Sequence, residues 1–216
     1  MEKQSSQQMK IYQAIMVGLG WFALAAQFYI NATLKANPVH EMIIRYFSYF
    51  TIQTNLLVVF CFTCLLVSPR SKWGQFFSRQ QPLTAITVYI LIVGLIYNTI
   101  LRFLWAPQGL QKTVDELLHT VIPVLAFVYW LLFAAKNRLQ WKNILPWLIY
   151  PFAYIFYVLI RGSISGFYPY PFINTMQLGL NKVLVNSVGI ATVFVLMSLA
   201  LVFIGKSLTS TRVNTG

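Results

Sequence analysis

The sequence predicts an all-α protein: a polytopic transmembrane bundle of six helices with both termini cytoplasmic. Three observations predict it. Apolar residues fill 58% of the 216 positions and charged ones only 9%, a balance outside the range of soluble domains. Six apolar stretches approach or exceed the roughly 20 residues that a helix needs to cross a hydrocarbon core about 30 Å thick. None of them shows the alternation of a membrane β-barrel, so helices are the remaining way to satisfy the backbone in lipid.

The first helix, at about 11–33, follows the polar opening Glu2-Lys3-Gln4-Ser5-Ser6. No small-residue cleavage site follows its apolar run, so it reads as a retained span rather than a signal peptide. Gln27 and Asn31 share one of its faces at i, i+4. The second, at about 41–67, is expected to be continuous, with Ser48, Thr51 and Asn55 at i, i+3 and i+7 on one face and Arg45 beside them. That face turns apolar at Val58, Val59 and Phe62. The third, at about 82–105, pairs Asn98 with Arg102 at i, i+4. The fourth, at about 116–135, opens beside Asp115 and Glu116 and carries His119 one turn after Asp115. Pro123 stands four residues after His119, so it cannot donate to the His119 carbonyl, and a kink is expected there. The fifth and sixth helices fall at about 145–161 and 183–205. The connections are short and carry no repeat or low-complexity tract, so residues 1–216 read as a single integral membrane domain.

Charge sets the expected orientation. Lys3, Lys10, Arg70, Lys72, Arg79, Lys136, Arg138, Lys142, Lys206 and Arg212 are ten of the sixteen basic residues and fall on one side. The positive-inside rule makes that side cytoplasmic, and it accounts for most of the net charge of +12. A basic soluble face with aromatic platforms is missing, which excludes nucleic acid as a partner.

Chemistry gathers at the opposite end. Of the four carboxylates and two histidines, His40, Glu41, Asp115, Glu116 and His119 sit in or beside two connections on that side. Counted from the other end of each helix, Thr51, His119 and Asn98 each lie sixteen residues up, about 24 Å at a rise of about 1.5 Å per residue. Three helices therefore bring a hydroxyl, an imidazole and an amide to one level. A threonine hydroxyl becomes a nucleophile when a base removes its proton, and histidine is the usual base. Asp115 or Glu116 could orient the imidazole, while Arg45, Arg102 or Asn98 could stabilise an oxyanion. These residue types suit acyl transfer, with Thr51 expected within hydrogen-bond reach of a His119 ring nitrogen or one water away from it. The plain alternative for Ser48 and Gln27 is helix-to-helix bonding.

Other signals carry less. Cys61 and Cys64 form a CxxC in mid-span, without the strand and helix start of a redox motif. Asp115-Glu116-Leu117-Leu118-His119 lacks the second histidine of a metalloprotease helix, so no metal or cofactor is expected, although His119, Asp115 and His40 or Glu41 could contribute ligands. Tyr168-Pro169-Tyr170-Pro171-Phe172 reads as a rigid interfacial anchor, with Tyr170 also placed to cap a pocket.

Tyr49-Phe50-Thr51, His119-Thr120-Val121-Ile122-Pro123 and Tyr170-Pro171-Phe172 resemble, in order and spacing, the androgen-induced-protein-like family of six-helix membrane proteins. This family includes proteins like the androgen-dependent TFPI-regulating protein, and it has bacterial relatives. The resemblance implies a membrane hydrolase that cleaves fatty acid esters of hydroxy fatty acids, with Thr51 as nucleophile and His119 as base. Glu116 departs from the pattern, because eukaryotic members carry a second histidine there, three residues before the catalytic one. The expected setting is a bacterial plasma membrane, with membrane lipid and a lipophilic ester as partners. The competing class is a transporter or a lipid or small-molecule binding protein that clamps its ligand with Arg45, Arg102 and Asp115. A third is a ligand-free scaffold with no cavity at Thr51.

Overall fold

The computed structural model describes residues 2–213, with side chains from 6 to 209. Among the described residues it is all helix and turn, with no strand. The elements in order are α1 (Glu2–Thr33), α2 (Val39–Ser48), α3 (Phe50–Val67), α4 (Lys72–Phe77), α5 (Gln80–Thr99), α6 (Gly109–Glu116), α7 (Ile122–Phe133), α8 (Ile144–Trp147), α9 (Ile149–Ser165), α10 (Thr175–Leu178) and α11 (Leu180–Val213). A π-helical turn, Leu117–Val121, joins α6 to α7, so the two form one span. The six stretches long and apolar enough to cross a membrane are Ser6–Thr33, Phe50–Val67, Gln80–Thr99, Gly109–Phe133, Trp141–Ser165 and Leu180–Thr209.

α3 and α5 are the innermost spans, at 56% and 61% buried, whereas each of the other four is at most a third buried. α1 packs against α3, and α7 and α11 pack against α5. The contact core is aliphatic and aromatic: Val58, Val59 and Phe62 from α3, Val88 and Ile90 from α5, and Ile122 and Trp130 from α7. Gly20 of α1 allows a close approach to α3, since a Cβ there would meet Val59 Cγ2 at 2.1 Å. Small residues let helix backbones approach this way in membranes, where dispersion rather than water exclusion drives association.

Four expected boundaries are corrected. The second helix is not continuous over 41–67. Tyr49 is extended (φ −77°, ψ 126°), which ends α2 and starts α3 as a separate helix. The break is held from outside: the Ser48 carbonyl accepts from the Tyr154 hydroxyl at 3.0 Å, and the Tyr49 ring packs edge-on against Phe167 and Tyr170. The third helix stops at Thr99 and not near 105, with Leu101–Leu104 as a 3₁₀ turn. There the Asn98 and Thr99 side chains bond to the Gly94 and Leu95 carbonyls, offering the backbone an alternative to further helix. The fourth starts at Gly109, before the expected 116. The fifth is interrupted at Leu148, between Pro146 and Pro151, and runs on to Ser165 before Gly166 (φ +70°) caps it.

Candidate functional site

The expected distortion before Pro123 takes the form of the π turn that carries His119. Freed from a donor at position 123, the His119 carbonyl accepts from Asn98 Nδ2 at 3.2 Å. Asn98 comes from α5, and Gly94 one turn earlier allows the approach: a Cβ at Gly94 would lie 3.1 Å from the His119 carbonyl oxygen.

Asp115 and Tyr97 hold the ring that this turn presents. His119 Nδ1 lies 2.9 Å from the Asp115 backbone oxygen and 3.1 Å from its carboxylate Oδ1. Both neighbours of Nδ1 are acceptors, so Nδ1 carries a proton, and in the neutral ring Nε2 is then the acceptor. The Tyr97 ring stacks on the imidazole at 4.0 Å and 17°, and its hydroxyl donates to Asp115 Oδ2. Asp115 is only 3% exposed. A carboxylate that fixes the tautomer and orientation of a histidine is the arrangement a general base requires. His119 Nε2 has no hydrogen-bond partner among the described residues.

Thr51 is the second residue of α3 and is buried. Its N–H donates to the Tyr170 phenol oxygen at 3.2 Å, and its hydroxyl lies 3.3 Å from that oxygen. Burial pushes the Tyr170 phenol up to about 12, so at neutral pH it keeps its proton and remains a donor. Asn55, one turn below, donates through Nδ2 to the Thr51 carbonyl at 2.9 Å and to the Leu118 carbonyl at 3.2 Å. One buried amide therefore binds the turn that carries Thr51 to the turn that carries His119. Asn55 Oδ1 is buried with no partner among the described residues.

The direct form of the expected contact, a Thr51–His119 hydrogen bond, is not made among the described residues. The break at Tyr49 puts Thr51 in a first helical turn, where Tyr170 takes its hydroxyl, while Asp115 takes His119 Nδ1. The same break removes Ser48 from the Thr51 face. Ser48 Oγ instead meets the Tyr157 hydroxyl at 2.9 Å and Arg161 Nε at 3.2 Å. Asn98 and Arg102 are no longer successive helical turns, since Ile100 lies outside α5. Arg102 pairs through Nη2 with both Glu116 oxygens and lies 5.5 Å from the Tyr97 ring centre. Arg45 belongs to a separate cluster with Glu41 and Arg161. No group of three or more His, Cys, Asp or Glu side chains able to hold a metal assembles among the described residues.

Two residues placed beside the expected ones lie outside the sequence expectations. Tyr97 walls in the imidazole, and its only signal was its place beside Asn98. Arg161 stands where the fifth helix is expected to end, at about 161, and is not among the expected site residues. The stronger signal was that a cation at that depth needs an anion, and Glu41 had no assigned partner. An apolar groove of about 500 Å³ runs along α3, lined by Trp21, Gln53, Leu56, Leu57, Phe60 and Tyr150. Its α3 residues lie on the face of that helix opposite Thr51, and neither Thr51 nor His119 lines it.

Fold and site together define a class: a six-span helical membrane protein with a carboxylate-oriented histidine at one end. Comparison with family models, with curated proteins and with solved structures gives no match for this chain.

Proposed function

We propose that this protein is a membrane hydrolase of lipophilic esters, of the androgen-induced-protein-like kind, with Thr51 as nucleophile and His119 as base. The observation that carries the reading is the Asp115–His119 pair, in which Nδ1 is committed to Asp115 and Nε2 is left to accept a proton. In the reaction, the Thr51 hydroxyl gives its proton to Nε2 and its oxygen attacks the ester carbonyl. The tetrahedral intermediate collapses to an acyl-Thr51 ester, and the leaving alkoxide takes the proton from His119. Water, deprotonated by the same nitrogen, then releases the carboxylic acid and restores Thr51. Substrate entry displaces the Tyr170 contact from the Thr51 hydroxyl, an adjustment in keeping with the loose catalytic contacts of ligand-free sites. An ester of fatty acid and hydroxy fatty acid type suits the apolar bundle below Thr51, where Val58, Val59 and Phe62 continue its face of α3.

The test is hydrolysis of a branched fatty ester by the purified protein in vesicles. Thr51→Ala and His119→Ala each lower the rate by about 10³-fold or more, and the double variant is no slower than either, because residues acting as a unit are not additive. Thr51→Ser retains measurable turnover. A fully active Thr51→Ala protein would falsify the reading. Transport or binding without chemistry is the second reading, favoured by the Arg45–Glu41–Arg161 cluster, and under it Arg variants lose ligand while Thr51→Ala is mild.

We propose that both termini are cytoplasmic and the site faces outward, on the strength of the basic-residue asymmetry, and that the membrane is a bacterial plasma membrane, in keeping with the compactness of the chain. Single cysteines at Lys35 and Lys112 should then react with an impermeant reagent added outside, and cysteines at Lys72 and Lys142 should not. The opposite pattern overturns the placement.

A further inference from the structure

Glu41, Arg45 and Arg161 form a charged cluster that the hydrolase reading leaves unused. Glu41 Oε1 accepts from Arg45 Nε at 2.7 Å and from Arg161 Nη2 at 2.9 Å. The Arg45 bond is the main force holding the Glu41 carboxyl below its usual range, so it stays ionised and the three groups sum to one positive charge. The other carboxylates with described side chains are committed elsewhere, Asp115 to His119 and Tyr97 and Glu116 to Arg102. The two guanidinium groups therefore share one carboxylate, leaving one positive charge with no counter-ion among the described residues; the Arg161 side chain is 14% exposed and that of Arg45 33%. A poorly hydrated cation at the end of a membrane span is costly unless an anion joins it.

The cluster is also shaped. Both guanidinium carbons lie near one ring, 4.5 Å (Arg45) and 5.7 Å (Arg161) from the centre of Phe167. Phe167 meets Tyr49 edge-on at 6.1 Å, Tyr49 meets Tyr170 edge-on at 5.8 Å, and the Tyr170 hydroxyl touches Thr51. An aromatic ladder thus leads from the charged pair to the proposed nucleophile. Planar guanidinium forks match the paired oxygens of carboxylates and phosphates.

We propose that Arg45 and Arg161 anchor the oxyanionic head, carboxylate or phosphodiester, of a membrane amphiphile whose chain lies along Phe167, Tyr49 and Tyr170. The anchor stands on its own geometry; only the direction of the chain towards Thr51 rests on the hydrolase reading.

The test is equilibrium binding of radiolabelled oleate to the full chain in neutral detergent, in the Thr51→Ala background so that turnover cannot intervene. Arg161→Gln weakens oleate by about tenfold or more, the loss of one charge-assisted pair, and Arg161→Lys restores part of it. Glu41→Gln tightens oleate by about threefold, because it removes the competing carboxylate. A purely structural ion-pair cluster would not produce that gain. Oleyl alcohol binds without regard to either substitution. Displacement by lysophosphatidylglycerol identifies the phosphodiester source, and its failure identifies the carboxylate. Oleate binding indifferent to Arg161→Gln, weakened by Glu41→Gln, or displaced as readily by inorganic phosphate as by the amphiphiles overturns the anchor. The hydrolase reading fails separately, if wild type and Thr51→Ala cleave ester alike.

Discussion

Pro123 and Pro151 leave the same backbone defect in two different helices. Each deprives the carbonyl four residues earlier of its usual donor, and in each case a side chain from α5 supplies another. Tyr89 donates to the Trp147 carbonyl at 2.6 Å, and Asn98 donates to the His119 carbonyl at 3.2 Å. The consequences differ. At Pro151 the repair is buried among Phe50, Tyr150 and Phe194, and it fastens α8 and α9 to the core. At Pro123 the repair leaves a π turn that turns an imidazole towards Asp115 and Tyr97. A proline in a membrane helix is thus no sign of function in itself. What the freed turn presents decides, and only one of these two turns presents an imidazole held by a carboxylate.

Substitutions can separate the two repairs if ester hydrolysis and thermal unfolding in detergent are measured together. The largest effect is expected from Pro123→Ala. It restores an N–H that can bond the His119 carbonyl, converts the π turn towards α-helix and swings the imidazole, so activity falls by about 100-fold while stability holds or rises. Loss of stability with activity retained would break the comparison. Asn98→Leu comes next, with a fall of about tenfold in activity and about 1 kcal/mol in stability from the lost interhelical bond. Tyr89→Phe should be smallest, costing about 1 kcal/mol of stability and leaving activity within about twofold. A larger loss of activity at Tyr89 than at Asn98 would show that the two repairs are not distinct in role.

The six spans were legible in the sequence because hydropathy and length are local properties, and no distant contact can hide them. Pro123 announced its defect for a similar reason: a missing N–H needs no tertiary context. The break at Tyr49 was hidden, since Ser48-Tyr49-Phe50 contains neither glycine nor proline. It is imposed by Tyr154, Phe167 and Tyr170, from chain more than a hundred residues away. The error carried into the site. One continuous helix would align Ser48 with Thr51, whereas the broken one sends Ser48 to Arg161 and gives Thr51 to Tyr170. The Asp115–His119 pairing survived because four residues along one helix is itself a local relation. Arg161 was readable only by asking which anion could answer each cation.

The central claim is that Thr51 becomes acylated. The most direct measurement is peptide mass spectrometry of the full chain after brief incubation with an activated long-chain ester, such as a p-nitrophenyl fatty ester, followed by an acid quench. The account predicts a single acyl adduct on Thr51, absent from His119→Ala protein. Turnover of the same ester with no adduct on Thr51, or with the acyl group on another residue, would contradict it.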